Sequence, residues 1–127
     1  MKLDIDCVRD VMLELESFPI GCYNIHSFSK TIRQHGEENV IYTLATLSEA
    51  GYIKAKFMMA EAGNYYCDAI YCLTFDGHEF LETIREPNIW KQLSGVVING
   101  GTGSIKVIMD IAVELAKQAA AKKLGIE

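Results

Sequence analysis

The residues that could ligate a metal or act as nucleophiles are spread along the chain without a recognisable spacing. The four cysteines are Cys7, Cys22, Cys67 and Cys72, and none belongs to a Cys-x-x-Cys pair. Cys67 and Cys72 are an odd number of residues apart, so in one regular strand they would point to opposite faces. Cys22 and His26 form a Cys-x-x-x-His pair, but no second ligand pair follows at a zinc-site spacing. We therefore predict reduced thiols in or beside the core and no metal site.

The histidines and the glycine-rich segment form no catalytic pattern either. His26, His35 and His78 are far apart, and their spacing implies no Ser/His/Asp or Cys/His pairing. The run GGTGS ends at Ser104, before a predicted helix, which is where a phosphate could bind. The lysine of a P-loop is missing, because Lys106 follows Ser104 by two residues instead of directly preceding a hydroxyl residue. We expect a linker here, no enzyme activity and no cofactor.

Composition and charge narrow the class of protein. The chain has 127 residues, of which half are apolar and 23% are charged, so it can build a globular core. The net charge of −5 argues against a general polyanion-binding protein but allows a local basic patch. The first residues contain Asp4 and Asp6, which a signal peptide would not carry, and no apolar run approaches the roughly 20 residues of a membrane span. We expect a cytoplasmic protein.

The stretch from Glu37 to Ile53 organises the prediction of the fold. Val40, Leu44 and Leu47 lie on one helical stripe, with a glycine before and after the run. Two strands, 52–59 and 65–73, follow and are joined by a turn signal at 62–64. A helix followed by such a ribbon is typical of the third helix and wing of a winged helix-turn-helix domain. The predicted fold class is therefore α+β, mostly helical with a β-hairpin wing.

The flanking segments fit the same architecture. Asp4 is predicted to cap a first helix that ends near Glu16, followed by a short strand at 22–26 and a second helix at 28–34. After the wing, Thr74 is predicted to cap a helix over 75–85, in which Gly77 would allow a close approach to the sheet. We predict a winged-helix domain over 1–86.

The remainder, 87–127, is predicted to add a short helical turn, a glycine-rich loop over 94–104 and a C-terminal helix from about 104 to 124. This helix has an apolar surface that should not stand alone in water. It must pack on its own domain, on a second copy or on another protein. The residues predicted to form that contact are Ile105, Ile108, Ile111, Ala112 and Leu115.

Two functions are compatible with this fold. In a winged helix the third helix enters the major groove, and its polar face would place four residues against the bases: Asn39, Tyr42, Thr43 and Thr46. Four cations could reach phosphates: Lys30, Arg33, Lys54 and Lys56. The same region carries four acids, namely Glu37, Glu38, Glu49 and Glu61, so its net charge supplies little phosphate attraction. The alternative is a protein-interaction module that assembles through the C-terminal helix and binds no DNA.

Three sequence blocks together resemble a known family: LDIDCVRDVMLELE, NVIYTLATLSEAGYI and LTFDGHEFLETIRE. The chain resembles the bacterial and phage family known as domain of unknown function 2513, and the likeness extends over nearly the full length. The run Leu73-Thr74-x-x-Gly77 is also similar to winged-helix regulators, in which it joins the wing to the next helix. The resemblance implies a winged-helix-like fold and little else. Our leading interpretation is a small winged-helix protein that acts as a phage-type or transcription-related regulator with possible DNA binding. The resemblance itself implies no activity and no ligand.

Overall fold

A computed structural model describes residues 3–59, 65–100 and 105–125. These ranges contain six α-helices and a two-stranded antiparallel sheet, so the predicted α+β class with a β-hairpin wing is confirmed. The elements in chain order are α1 (Ile5–Ser17), a 3-10 helix (Ile25–Phe28), α2 (Ser29–His35), α3 (Glu37–Glu49), β1 (Ile53–Met59), β2 (Tyr65–Leu73), α4 (Phe75–Arg85), α5 (Pro87–Gly100) and α6 (Ile105–Lys123).

Helix α1 begins where the sequence predicts. The Asp4 side chain accepts hydrogen bonds from the backbone N–H groups of Asp6 and Cys7, which the first turn of a helix leaves without partners. The apolar stripe of α1 is buried, with Val8 and Met12 at its centre. This helix packs against both α2 and α3, which are the two helices of the helix-turn-helix.

The segment between α1 and α2 differs from the predicted strand at 22–26. Only Tyr23 pairs with the sheet, through two backbone hydrogen bonds with Ile70 of 2.8 and 2.9 Å. Asn24 then starts the 3-10 helix, because its side chain accepts from the His26 N–H and its own N–H donates to Ser27 Oγ. This local capping box competes with an extended backbone, and the strand prediction is wrong beyond Tyr23.

The hairpin follows the prediction closely. Ile53 lies opposite Leu73 and Met59 lies opposite Tyr65, with two register shifts between them. The predicted turn at 62–64 lies outside the described residues. Leu44 and Leu47 of α3 are fully buried, and α3 contacts both strands, so the predicted packing of this helix under the hairpin is confirmed.

The wing connects to α4 through a tight contact. Thr74 Oγ1 accepts from the Gly77 N–H at 3.1 Å and donates to the Gly51 carbonyl at 2.6 Å, so one side chain caps α4 and holds it to the end of α3. A Cβ on Gly77 would lie 1.9 Å from the Tyr52 carbonyl oxygen. The close approach predicted for this glycine is confirmed, and it is made to the residue that precedes β1.

The predicted loop over 94–104 is wrong in its first part. Helix α5 continues to Gly100, and residues 101–104 lie outside the described ranges. Ile89 and Leu93, one helical turn apart, are both buried. Burial of this stripe offsets the helix-interior cost of Gly95, about 1 kcal/mol relative to alanine, so tertiary packing outweighs the local glycine signal.

Helix α6 packs on its own chain. Ile105, Ile108 and Ala112 are buried in the same core cluster as α1, α3, β2 and α4, and α6 contacts α4 and α5. These three side chains therefore dock on their own chain in this fold, and contact of α6 with a second copy stays a prediction. Within the ranges given above, none of the helices combines the length and the apolar character needed to cross a membrane.

Candidate functional site

Thr43, predicted to face DNA bases, lies inside the molecule. Its relative exposure is 0%, and its hydroxyl donates to Cys7 Sγ at 3.3 Å. The prediction of an exposed Thr43 is wrong because this residue lies three after Val40 and four before Leu47, which places it on the buried stripe of α3. The thiol supplies the partner that a buried hydroxyl requires.

Asn39 and Thr46 lie at the edges of α3 and not on its outer surface. Both are half-buried. The Asn39 Oδ1 atom is buried and has no hydrogen-bond partner among the described residues, and the Thr46 hydroxyl donates to the Tyr42 carbonyl at 2.9 Å within the helix. Base readout needs side-chain groups that are free to reach base edges. Of the four residues predicted to contact bases, Tyr42 lies closest to the outer surface of the helix.

The outer surface of α3 is formed by a row that we call the α3 outer stripe, defined as Glu38, Tyr42, Ala45 and Glu49. The spacings of four, three and four residues align these side chains along the helix axis, opposite the buried stripe. The two glutamates are exposed, and Tyr42 and Ala45 are half-buried between them. The stripe is thus an aromatic and aliphatic centre with a carboxylate at each end.

The four predicted phosphate-binding cations are all exposed: Lys30, Arg33, Lys54 and Lys56. They belong to two separate elements, α2 and β1. The Lys56 ammonium lies 3.9 Å from Asp68 Oδ2, across the hairpin. Three of the four acids counted in the same region are exposed, namely Glu37, Glu38 and Glu49, and the fourth, Glu61, lies outside the described residues. Asp68, on β2 beside Lys56, adds one further exposed acid. The described surface is therefore neutral in total, with acids along α3.

Two side chains of α1 hold α2 in place. Glu14 Oε1 accepts from the Thr31 N–H at 3.0 Å and from the Thr31 hydroxyl at 2.6 Å. His35 Nε2 lies 2.7 Å from Asp10 Oδ2, at the end of α2 and directly before the turn into α3. Sequence reasoning missed both contacts, because the partners are 17 and 25 residues apart and no local pattern connects them. Together these contacts tie α2, the helix that precedes α3, to α1.

The cysteines divide into two classes. Cys7 and Cys67 are buried, and burial raises the pKa of both thiols, that of Cys67 to about 11. Such thiols stay protonated and unreactive near neutral pH. Cys22 and Cys72 are exposed, in contrast to the prediction of core or half-buried thiols. In the part of the chain that the structure describes, no three His, Cys, Asp or Glu side chains are placed to hold a metal ion together.

The residues predicted to form an assembly surface on α6 are mostly covered. Ile105, Ile108 and Ala112 are buried by α4 and α5, so they are not free to contact a second copy in this fold. Ile111 and Leu115 are half-buried against the core. Assembly through α6 stays a prediction, and only these last two of the five residues retain exposed surface for it.

Comparison with known proteins identifies the family. Residues 2–103, more than half of the chain, match the family model described as Hypothetical protein (DUF2513), and the chain therefore belongs to this family. The resemblance inferred from the sequence blocks is confirmed. No curated protein and no solved structure matches the chain. The family description states no activity, so function must be argued from the surfaces themselves.

Proposed function

We propose that this DUF2513 protein is a cytoplasmic winged-helix interaction module, working in regulation, whose α3 outer stripe contacts another protein. The observation that carries the proposal is the position of Glu38 and Glu49, at the two ends of the surface that a DNA-binding winged helix would insert into the major groove. A groove lined by phosphates repels carboxylates, whereas a protein partner can offer them cations.

The centre of the stripe favours a protein contact for a second reason. Tyr42 and Ala45 present an aromatic ring beside a small residue, and tyrosine is enriched among the residues that dominate protein interfaces. Charged side chains at the rim then select partners and orient them. The complementary partner surface would have an apolar pocket flanked by arginine or lysine side chains.

The second candidate is a transcription-related DNA-binding regulator, and the exposure of the four cations favours it. Lys30, Arg33 and Lys54 are exposed to phosphates, and Lys56 would exchange the Asp68 carboxylate, 3.9 Å away, for a phosphate. Tyr42 would then face the bases. Against it, the acids of the same surface equal these cations in number, and DNA affinity depends on how many phosphates a surface neutralises. The absence of Thr43 from the surface removes one more polar contact.

A DNA titration separates the two candidates. We expect the native chain to show no binding to a mixed-sequence duplex at low salt and micromolar protein, measured by fluorescence anisotropy. Replacing Glu38→Lys with Glu49→Lys should create salt-dependent binding, because the stripe then attracts phosphates. The control is Glu79→Lys with Glu114→Lys, which makes the same charge change at exposed positions on α4 and α6. Native binding that is lost on Lys54→Glu with Lys56→Glu would establish the DNA-binding candidate instead.

The protein contact itself is tested by site-specific photo-crosslinking in the native cell. A benzoylphenylalanine residue at position 45, in the middle of the stripe, should give a discrete protein adduct, and the same probe at the exposed position 78 of α4 should not. Adding Glu38→Arg and Glu49→Arg should remove the adduct, because the rim charges are then reversed. An adduct that persists after this reversal, or one that contains nucleic acid, would reject the proposal.

A further inference from the structure

The apolar stripe of α6 continues beyond the region that the domain covers. Ala112 is buried, but Ala119, two helical turns later on the same side of the helix, is exposed. Leu115, between them, is half-buried. The last two turns of α6 therefore expose the face that its first half buries.

This uncovered face forms one wall of a groove, which we call the α5–α6 groove. It has a volume of about 890 Å³, and its apolar part comprises Ile89 at the start of α5 together with Leu115 and Ala119 of α6. Side-chain size at a helix contact sets the distance between the helix axes, so an alanine-rich wall admits a close neighbour. The lining residues of α6 run from Leu115 to Lys123, about 12 Å or two helical turns, so this wall can pack against two turns of another helix.

The rim of the groove is basic. Lys91, Lys122 and Lys123 line it and are exposed, whereas the chain as a whole has a net charge of −5. The lining acid, Glu86, is already engaged, because its Oε2 accepts from the Ile89 N–H at 2.9 Å and so caps α5. The groove thus combines an apolar floor with a rim of three lysines and one carboxylate, which leaves its edge net positive.

The geometry points to an acidic amphipathic helix of a partner protein as the occupant of the α5–α6 groove. Apolar residues spaced at one helical face would fill the floor, and flanking glutamates or aspartates would meet the three lysines. A second copy fits less well, because a two-fold pairing of groove on groove sets the lysines of each copy against those of the other. This inference uses a different surface from the α3 outer stripe and goes beyond the function proposed above.

Two synthetic helical peptides test the inference against the full chain. Both carry the same leucine stripe, and the flanking positions are glutamate in one and lysine in the other. With the ¹⁵N-labelled protein, the glutamate peptide should shift the amide signals of Ile89, Leu115 and Ala119 and bind about tenfold more tightly than the lysine peptide. Lys122→Glu with Lys123→Glu should reverse that preference. The control, Lys106→Glu with Lys117→Glu, changes exposed lysines of the same helix that do not line the groove, and should leave the preference intact.

Three results would overturn the inference: no shifts at the groove, equal binding of the two peptides, or groove shifts that appear with protein concentration alone together with a doubled solution mass. The last result would identify a second copy as the occupant. The substituted lysines are exposed at the end of a helix, so the variants should fold, which near-UV circular dichroism checks. The Glu38→Lys, Glu49→Lys variant should still bind the glutamate peptide, so failure of the α3 proposal and failure of this one are distinguishable.

Discussion

Helices α3 and α6 each carry an apolar stripe, but the domain covers one completely and the other only in part. Val40, Leu44 and Leu47 of α3 have no exposed surface. The stripe of α6 passes from the buried Ala112 to the exposed Ala119 within two turns. The rest of the domain covers the whole apolar stripe of α3, whereas the stripe of α6 stays exposed at its C-terminal end.

The difference follows from helix lengths. At 1.5 Å per residue, the 19 residues of α6 extend about 28 Å, whereas the 11 residues of α4, on which it packs, extend about 16 Å. The far end of α6 therefore passes beyond α4, which is one of the two helices that bury its first half. Helix α3 has 13 residues, as does α1, against which it packs, so neither end of its stripe is left uncovered. The exposed part of the α6 stripe therefore reflects both its length relative to α4 and the gap that α5 leaves beside its far end, which is the α5–α6 groove.

The largest expected effects on stability come from leucine-to-alanine substitutions in the covered stripe of α3 and the partly covered stripe of α6. Leu44→Ala should lower the free energy of unfolding by about 2 to 5 kcal/mol, because it leaves a cavity beneath the hairpin. Leu115→Ala, in the half-covered part of α6, should cost less than about half as much, since this side chain is already partly hydrated. Urea unfolding measures both. Equal losses would mean that the second half of α6 is buried in solution.

A pH titration tests the covered region through Cys67. Its pKa is raised by burial from 9.0 to about 11, so the folded state retains the thiol proton more strongly than the unfolded state. The resulting stability is present below pH 9 and is lost as the pH rises towards 11, by up to about 3 kcal/mol. The loss between these pH values should be smaller in Cys67→Ala than in the native chain. The exposed Cys72 provides the control, because Cys72→Ala should keep the native pH dependence.

Two alanines on one stripe of α6 give the most closely matched comparison. Ala112→Leu should destabilise the fold by about 1 to 3 kcal/mol, because the added atoms have no space in a packed core. Ala119→Leu should change stability by less than about 0.5 kcal/mol, since this position is open to solvent. Thermal unfolding detects both changes. A similar cost at position 119 would contradict the exposed wall of the α5–α6 groove.

Local signals predicted the parts of the fold in which the deciding forces are local. The bounds of β2 and α4 agree with the sequence-based bounds, since strand composition and the Thr74 cap act within a few residues. The sequence does not predict that α5 continues through Gly95, because a glycine inside a helix normally destabilises it. Burial of Leu93 in the core offsets this cost, and local sequence does not show that burial.

The candidate site was predicted less well than the fold. Helical spacing places Tyr42 on the outside of α3, whereas Thr43, which the sequence analysis predicts to be exposed, lies on the buried side. The hydrogen-bond partner of Thr43, Cys7, is 36 residues away in the sequence. No sequence pattern predicts that a threonine hydroxyl will donate to a buried thiol at that distance. The exposed end of α6 likewise depends on how far α4 extends in space. The residue spacing within α6 gives no information on this.

The smallest predicted effect concerns the junction between the covered region and α4. Thr74→Ala removes both the cap on the Gly77 N–H and the bond to the Gly51 carbonyl, so it should cost about 1 kcal/mol, near the middle of the range for lost caps. Thr83→Ala in the same helix is the control, because its hydroxyl only bonds back to the Glu79 carbonyl and a change within about 0.5 kcal/mol is expected. Chemical denaturation measures both. If the two variants lost equal stability, Thr74 would not be the contact that holds α4 to the end of α3. The close packing of Gly77 against Tyr52 would then position α4, the helix on which α6 packs.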